Sequence, residues 1–364
     1  MSDMTSKERV MTALQHQQTD RIPISLGFGI NAPVLRQIQK YKNFQTFAEA
    51  EAYMKDYSDV LWVWPSYMGP KNRCYRSPDG LNYDIWGVGR KAVSYGDGSY
   101  DEISHYPLGG INDISELDRY IWPSADWTGV EDMKTLIRQA DQGRHRAIIL
   151  GNGNIFESAW YMRGFEQMFI DLIDQPELAW EIMRRVTDYF IAYFTRVLQA
   201  AEGMIDIVFT ADDLGGQQGL LMSLDMWERM IKPHHVHMNQ VLHEFSVKIM
   251  YHTDGAIMPA VPGLIDMGID ILEALQFDAA GMDPVLLKET YGDRLCFHGG
   301  VSVQKTLPFG TEEDVRQEVK DRIRVLGRDG GYILAPSHAI QAGTPPENAI
   351  ALFETARSFE TVIG

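Results

Sequence analysis

Three side chains with metal-ligand chemistry stand at the ends of short apolar runs in this chain: His252 and Asp254 in KIMYHTDG, and His338 in YILAPSH. A spacing of two on an emerging strand puts His252 and Asp254 on one side, and an imidazole from another strand can close a facial set of nitrogen and oxygen donors. Two imidazoles and a carboxylate suit zinc, and equally iron, nickel or manganese; three ligands leave a position open, as a Lewis acid requires. The plainer alternative is that HTDG is a turn fastened by its aspartate and His338 a hydrogen-bonding loop residue. Asp212 and Asp213, in TADDLGG, are adjacent carboxylates suited to general acid–base work, because like-charge repulsion keeps a proton on one of them. Otherwise one of them caps the following turn. His298, two residues after Cys296 in LCFH, is a ligand or proton carrier if the face they share looks into a barrel. Gln276, after ILEAL, can orient a substrate or a ligand histidine.

What must position these groups is a repeated unit. IDIVF, KIMY, ILEAL, LCF and YILA are each too short for a buried helix, end in polar residues, and precede a helical pattern. Strand, polar turn and helix repeated in this way close into a barrel whose active site lies on the rim past the strand ends. Upstream, TSKERVMTALQHQ predicts a lead-in helix capped by Thr5 or Ser6 and stopped before Pro23. IPISLGF, SDVLWVWP (ending at Pro65) and RAIILGN supply the remaining strands. Residues from about 69 to 123 alternate short runs with Tyr, Gly and Asp, which predicts a β-hairpin insertion near the barrel mouth with turns at DG and GDG. A helical tract runs from Ile155, with breaks at Gly164 and Pro176, to about Glu202. The reading is one α/β domain over residues 1–364: a (β/α)8 TIM barrel with an N-terminal lead-in helix and a β-hairpin insertion.

The aromatic residues Trp62, Trp64, Tyr67, Tyr83, Trp86, Trp160 and Tyr161 are dense in the N-terminal half. On loops above a barrel they can line a flat apolar pocket for an aryl or methylated substrate; alternatively they pack the insertion onto the barrel. Trp64, Tyr67, Trp86 and Tyr161 are the expected substrate contacts, with Asn154 and Glu157 of GNGNIFES. Glu157 alternatively only stabilises the first turn of its helix. His234 and His237 lie three apart on an amphipathic tract and are expected to be solvated.

Fifty acidic against 33 basic side chains give a formal charge of −17, which repels a nucleic-acid backbone and an anionic membrane alike. The N-terminal stretch shows no apolar core preceded by positive charge, so a cytoplasmic protein is expected. The two cysteines, Cys74 and Cys296, fit a reducing compartment.

GGYILAPSHAIQAGTPPENAIALFETA (residues 330–356), YSDVLWVWP (57–65) and HTDG (252–255) together resemble the uroporphyrinogen decarboxylase superfamily, which includes zinc-dependent methyltransferases that serve corrinoid proteins. The resemblance implies a (β/α)8 barrel and, by family habit, a homodimer. It places Asp59 at the decarboxylases' substrate-binding aspartate. HTDG sits where the methyltransferases carry an HxCG zinc motif, so His252, Asp254 and His338 stand at the places of a His, Cys, Cys set. Where decarboxylases carry an Arg-rich MRQAGR segment to hold many carboxylates, this chain reads LGFGINAPVL, a stretch with no arginine until Arg36 follows it. Such carboxylates need cationic forks. The resemblance therefore implies a metal-dependent methyltransferase, using zinc or another divalent metal. It would move a methyl group between a methoxy-aromatic or methylamine-type substrate and a separate corrinoid protein, with Asp212 or Asp213 managing the proton. The alternatives are a metal-free decarboxylase using Asp59, His338 and Tyr161, and a non-catalytic binding protein on the same barrel.

Overall fold

The computed structural model describes residues 4–95 and 98–359. Strands β1 (Val60–Val63), β2 (Ala147–Leu150), β3 (Ile207–Ala211), β4 (Lys248–His252), β5 (Ile271–Ala274), β6 (Cys296–Val301) and β7 (Tyr332–Pro336) form one parallel sheet in sequence order. Strands β2, β3, β5, β6 and β7 are buried at every position. A parallel sheet with helices outside and packed side chains inside demands such apolar runs.

The segment IPISLGF closes this sheet into a barrel. Ile24 forms a parallel bridge to Leu334, the Leu334 amide donates to the Pro23 carbonyl (2.9 Å), and the Asp59 amide donates to the Ile24 carbonyl (2.8 Å). The eighth place is thus filled by a bridge instead of a full ladder. Pro23 has no amide to donate, and Gly27, at φ +58°, turns the chain out toward helix α2 (Ala32–Tyr41).

Inside, Val60, Ala147, Ile149, Ile207, Phe209, Met250, Ile271, Cys296 and Ile333 pack together with Val10 and Leu14. The lead-in helix α1 (Ser6–Ala13), capped by Thr5 through a capping box with Glu8, therefore stoppers the N-terminal end of the barrel. Asp59 belongs to that stopper and corrects the expectation of a substrate-binding aspartate. It is buried, and accepts from Arg9 Nη1 (2.8 Å), Arg21 Nη1 (2.7 Å), Ser6 Oγ (2.7 Å) and the Ile24 amide (2.9 Å), at the end of β1 away from the mouth.

The insertion is a three-stranded antiparallel sheet of Asn82–Tyr83, Gly89–Tyr95 and Gly98–His105. Its GDG turn falls partly on residues 96 and 97, outside the described residues. Trp86 is buried edge-on against Tyr189 and Phe190. Tyr67 packs on Trp127 and donates to the Pro70 carbonyl (3.0 Å). Trp86 fastens the insertion to the barrel's flank and Tyr67 is engaged with Trp127, and neither lines the cavity, so the expectation that they touch substrate is corrected: an added sheet has its own apolar face to cover.

Helices α3 (Ile155–Arg163), α4 (Phe165–Asp174) and α5 (Pro176–Ala201) break at Gly164 and before Pro176, where the sequence places the breaks. Helix α6 (Lys232–His243) departs from its expectation. His234 is buried against the Trp180 ring and His235 is fully buried, while His237 is exposed. Among the described residues no helix is long and apolar enough to cross a membrane.

Candidate active site

The parallel register sets Ala211, His252, Glu273 and His298 on one level of the barrel, at its mouth. Each lies two residues beyond a core residue of its own strand, so all four point inward. Glu273 accepts a hydrogen bond from His252 Nδ1, and because a carboxylate can only accept, that nitrogen carries the proton and Nε2 faces the rim. There Asp213 Oδ1 lies 3.6 Å and Asp254 Oδ1 3.8 Å from Nε2. Burial disfavours charge on both partners, yet each stabilises the other. Glu273, with Asp254 and Asp213 assisting, lifts His252 to about 10, and His252, with His298 assisting, holds Glu273 near 2. The second Glu273 oxygen lies 3.6 Å from His298 Nδ1. His298 is fully buried, level with His252, and does not line the cavity. The expected ligand or proton carrier is therefore a neighbour of Glu273 that does not reach substrate.

His252, Asp254 and His338 each offer one donor atom, all within 4.8 Å of one another. A tetrahedral set with bonds of about 2.1 Å has edges of roughly 3.4 Å, so the 3.8 Å edge between His252 and Asp254 needs only a small contraction. Three observations fit a cation here. Asp254 Oδ1 is buried without a hydrogen-bond partner. Burial, with Asp213 and Glu273 adding to it against His252, pushes the Asp254 carboxyl up to about 7, a crowding of acids that a cation relieves. Burial, with His252, holds His338 below the ordinary imidazole range, in the neutral form a ligand needs. The Glu273–His252 bond is the carboxylate–histidine pairing that orients metal-binding imidazoles. No thiolate is at hand: Cys74 is exposed on the insertion and Cys296 lies lower in the barrel. The set is one of nitrogen and oxygen donors.

The loop geometry follows from its glycine. Gly255, at φ +85°, passes so close to Gly215 that a Cβ would stand 2.5 Å from its carbonyl, so the turn after His252 admits only glycine. Gln276, expected as a substrate contact, instead accepts from the Gly255 amide (3.0 Å) and lies outside the cavity lining. It holds the loop that carries Asp254.

The paired aspartates separate. Asp212 points away from the barrel axis, fully buried, and accepts from the amides of Phe156 (2.8 Å) and Glu157 (2.7 Å) and from His235 Nε2 (2.5 Å). It caps the N-terminus of α3, so it is a structural anion and not a catalytic one. Asp213 lines the cavity, its Oδ1 accepting from the Asp254 amide (3.0 Å). Beside it, burial together with Asp212 and Asp213 pushes Glu157 up to about 7, and Asn154 Nδ2 donates to Glu157 Oε2 (3.1 Å).

A cavity of about 680 Å³ opens here, lined by Asn154, Glu157, Tyr161, Asp213, His252 and His338, and by the aromatic wall of Phe28, Trp62, Trp64 and Phe209. Trp64 stacks on Trp62, with centroids 6.0 Å apart and planes 9° apart. Of the expected contacts, Trp64, Asn154, Glu157 and Tyr161 come together with the two histidines. Glu273, His235, Phe28 and Phe209 were not singled out from sequence. Only Glu273 left a signal, a lone carboxylate in the apolar run ILEAL.

A closed parallel barrel with histidines and carboxylates gathered on its C-terminal rim belongs to the class of TIM-barrel enzymes. The pattern of the family described as uroporphyrinogen decarboxylase (URO-D) matches residues 91–359, and the chain belongs to that family. A uroporphyrinogen decarboxylase of Coxiella burnetii is 21% identical over 385 residues, covering 97% of this chain and 95% of the other. One from Pseudoalteromonas translucida is 25% identical over 167 residues, 44% of this chain and 46% of its own length, so that match spans about half of the relative. Among solved structures, a methyltransferase from Methanosarcina mazei superposes with a TM-score of 0.71 at 18% identity, covering 99% of this chain and 100% of that one; the two share a fold.

Proposed function

We propose that this chain is a metal-dependent methyltransferase that moves a methyl group between a small methylated substrate, of the methoxy-aromatic or methylamine type, and a corrinoid carried by a separate protein. The observation that carries the reading is the His252, Asp254 and His338 donor set, braced by Glu273 and facing an aromatic wall. A divalent metal bound by these donors supplies Lewis acidity toward an ether oxygen or amine nitrogen. The chain's own residues do the rest. Glu273 fixes the His252 ring with Nε2 turned to the mouth, where a metal would displace its proton. Glu157, its carboxyl pushed up to about 7, exchanges a proton readily near neutral pH and can give it to the heteroatom that keeps the electron pair when its methyl group leaves. Trp62, Trp64 and Phe209 exclude water and hold the flat part of the substrate.

The family name supports a second reading, decarboxylation of a carboxylic acid without a metal. Against it stands Asp59, which is enclosed by arginines at the opposite end of the barrel. The test is the metal content of untagged protein purified without chelator, set beside a His252→Ala, His338→Ala double variant. Methyl transfer from 2-methoxyphenol to free cob(I)alamin is followed in parallel. About one equivalent of metal, lost in the variant together with transfer, supports the reading; metal-free wild type refutes it.

A further inference from the structure

One large side chain in the mouth has no part in the reaction just described. Phe28 stands at the apex of a turn in which the Gly29 amide donates to the Leu26 carbonyl (2.9 Å), with Gly27 at φ +58° and Gly29 at φ +92° on either side. A Cβ on Gly29 would meet nothing within 4 Å, so glycine is there for its backbone conformation and not for want of room. The turn presents the Phe28 ring, 36% exposed, directly over the donor histidines. Its centroid lies 4.9 Å from that of His252 and 5.0 Å from that of His338, edge-on to both, and 5.5 Å from Phe209 at 89°. Trp62 completes the enclosure at 6.1 Å.

A benzene ring thus already sits in edge-to-face contact with the two imidazoles that would hold a metal. A group reaching those imidazoles from the side of Trp62 and Phe209 meets the ring first. We infer that Phe28 is a gate seated in the aryl subsite, and that an uncharged aryl methyl ether enters by displacing it, its own ring taking up the contacts Phe28 gives up. The choice of an aryl ether rests on the methyl-transfer reading; the occupancy of the subsite does not. Charge narrows the class further. Asp213 and Glu157 line the same cavity, the His252 imidazolium at the mouth is matched by Glu273, and the cavity's lysine and arginine, Lys55 and Arg146, are paired with Glu51 and Asp141. These two flank the beginnings of β1 and β2, four strand residues or roughly 13 Å from the rim. A ring bearing its own carboxylate therefore meets repulsion at the mouth.

The experiment is calorimetric titration of 2-methoxyphenol into the intact protein, wild type against Phe28→Ala and Phe28→Trp, with 2-methoxybenzoate as comparator. A gate closed about nine-tenths of the time weakens apparent affinity about tenfold, so Phe28→Ala binds about tenfold more tightly and Phe28→Trp more weakly than wild type. A fixed wall gives the opposite sign, because alanine would only remove contacts. Weaker binding by Phe28→Ala, no binding by any of the three proteins, or benzoate bound as tightly as the phenol overturns the proposal. Tighter binding by Phe28→Ala without methyl transfer sustains the gate and sinks the methyltransferase reading. Transfer that depends on His252 and His338, with weaker binding by Phe28→Ala, does the reverse.

Discussion

Replacing Asp212 by alanine strips the acceptor from two amides and one imidazole at once, all of them inside the fold. Removing one partner from a buried, hydrogen-bonded charge costs about 3–5 kcal/mol, a range that already contains the loss of a helix cap. With 364 residues each adding about 2 cal/mol/K to the entropy of unfolding, ~4 kcal/mol corresponds to a fall of ~5 °C in melting temperature. Asp213 makes the contrasting case. Its side chain is 39% exposed, accepts one hydrogen bond, from the Asp254 amide, and otherwise lies 3.6 Å from His252 Nε2. Asp213→Ala is therefore expected to melt within about 1 °C of wild type, while methyl transfer falls at least tenfold because a charge beside His252 and Glu157 is gone. Scanning calorimetry in chelated buffer gives the first quantity, and the cob(I)alamin assay the second. Equal melting temperatures for the two variants, or an unchanged melt for Asp212→Ala, would refute the division of labour between these neighbours.

Glu273→Gln keeps the size of the side chain but weakens its hold on His252, and metal affinity should drop about 10–100-fold in a chelator competition; unchanged affinity would remove Glu273 from the site's design. In metal-free protein His252 is lifted to about 10 from the usual 6.5. A raised folded-state value contributes stability in full below the unfolded one and loses it as pH rises through the folded one. The melting temperature should therefore decline between about pH 6.5 and 10, and the decline should vanish in His252→Ala; the same slope in that variant would assign it to another group. Asp59→Ala should lower stability by about 3–5 kcal/mol and leave the metal content of the surviving folded protein as it was, and loss of metal would return Asp59 to the active site. Trp64→Ala, at a side chain 54% exposed, should weaken 2-methoxyphenol binding with little change in melting temperature; unaltered binding would exclude Trp64 from the aromatic wall.

The barrel was legible because every inner strand is an apolar run that ends in polar residues, and strand ends in such a fold converge on one rim. His252, Asp254 and His338 could be placed together for the same reason. Distinguishing Asp212 from Asp213 could not be done that way: neighbouring residues leave a strand end on opposite sides, and which side faces α3 depends on the path of the chain beyond Ala211. Glu273 was hidden because ILEAL counts as apolar, although two-residue alternation puts it level with His252. Phe28 lay in a segment read as a strand and for the arginines it lacks. Among the aromatics, density marked a region, but the choice between covering the insertion and lining the cavity separated Tyr67 and Trp86 from Trp64 and Tyr161. Asp59 was assigned by resemblance alone, and the arginines that enclose it come from α1 and the turn after it, distant in sequence.

Closure of the barrel carries a consequence for its manufacture. Residue 24 bridges residue 334 and residue 30 bridges residue 340, so a chain emerging from the ribosome can pair β1 through β6 with their neighbours yet keeps two bare sheet edges until β7 arrives. The same late segment delivers His338. A chain stalled before β7 thus lacks both the seam and the third donor of the proposed metal set, and would bind such a metal only weakly. A metal joining His252, from the middle of the chain, to His338, near the closing seam, would also act as a latch on the last strand to be made.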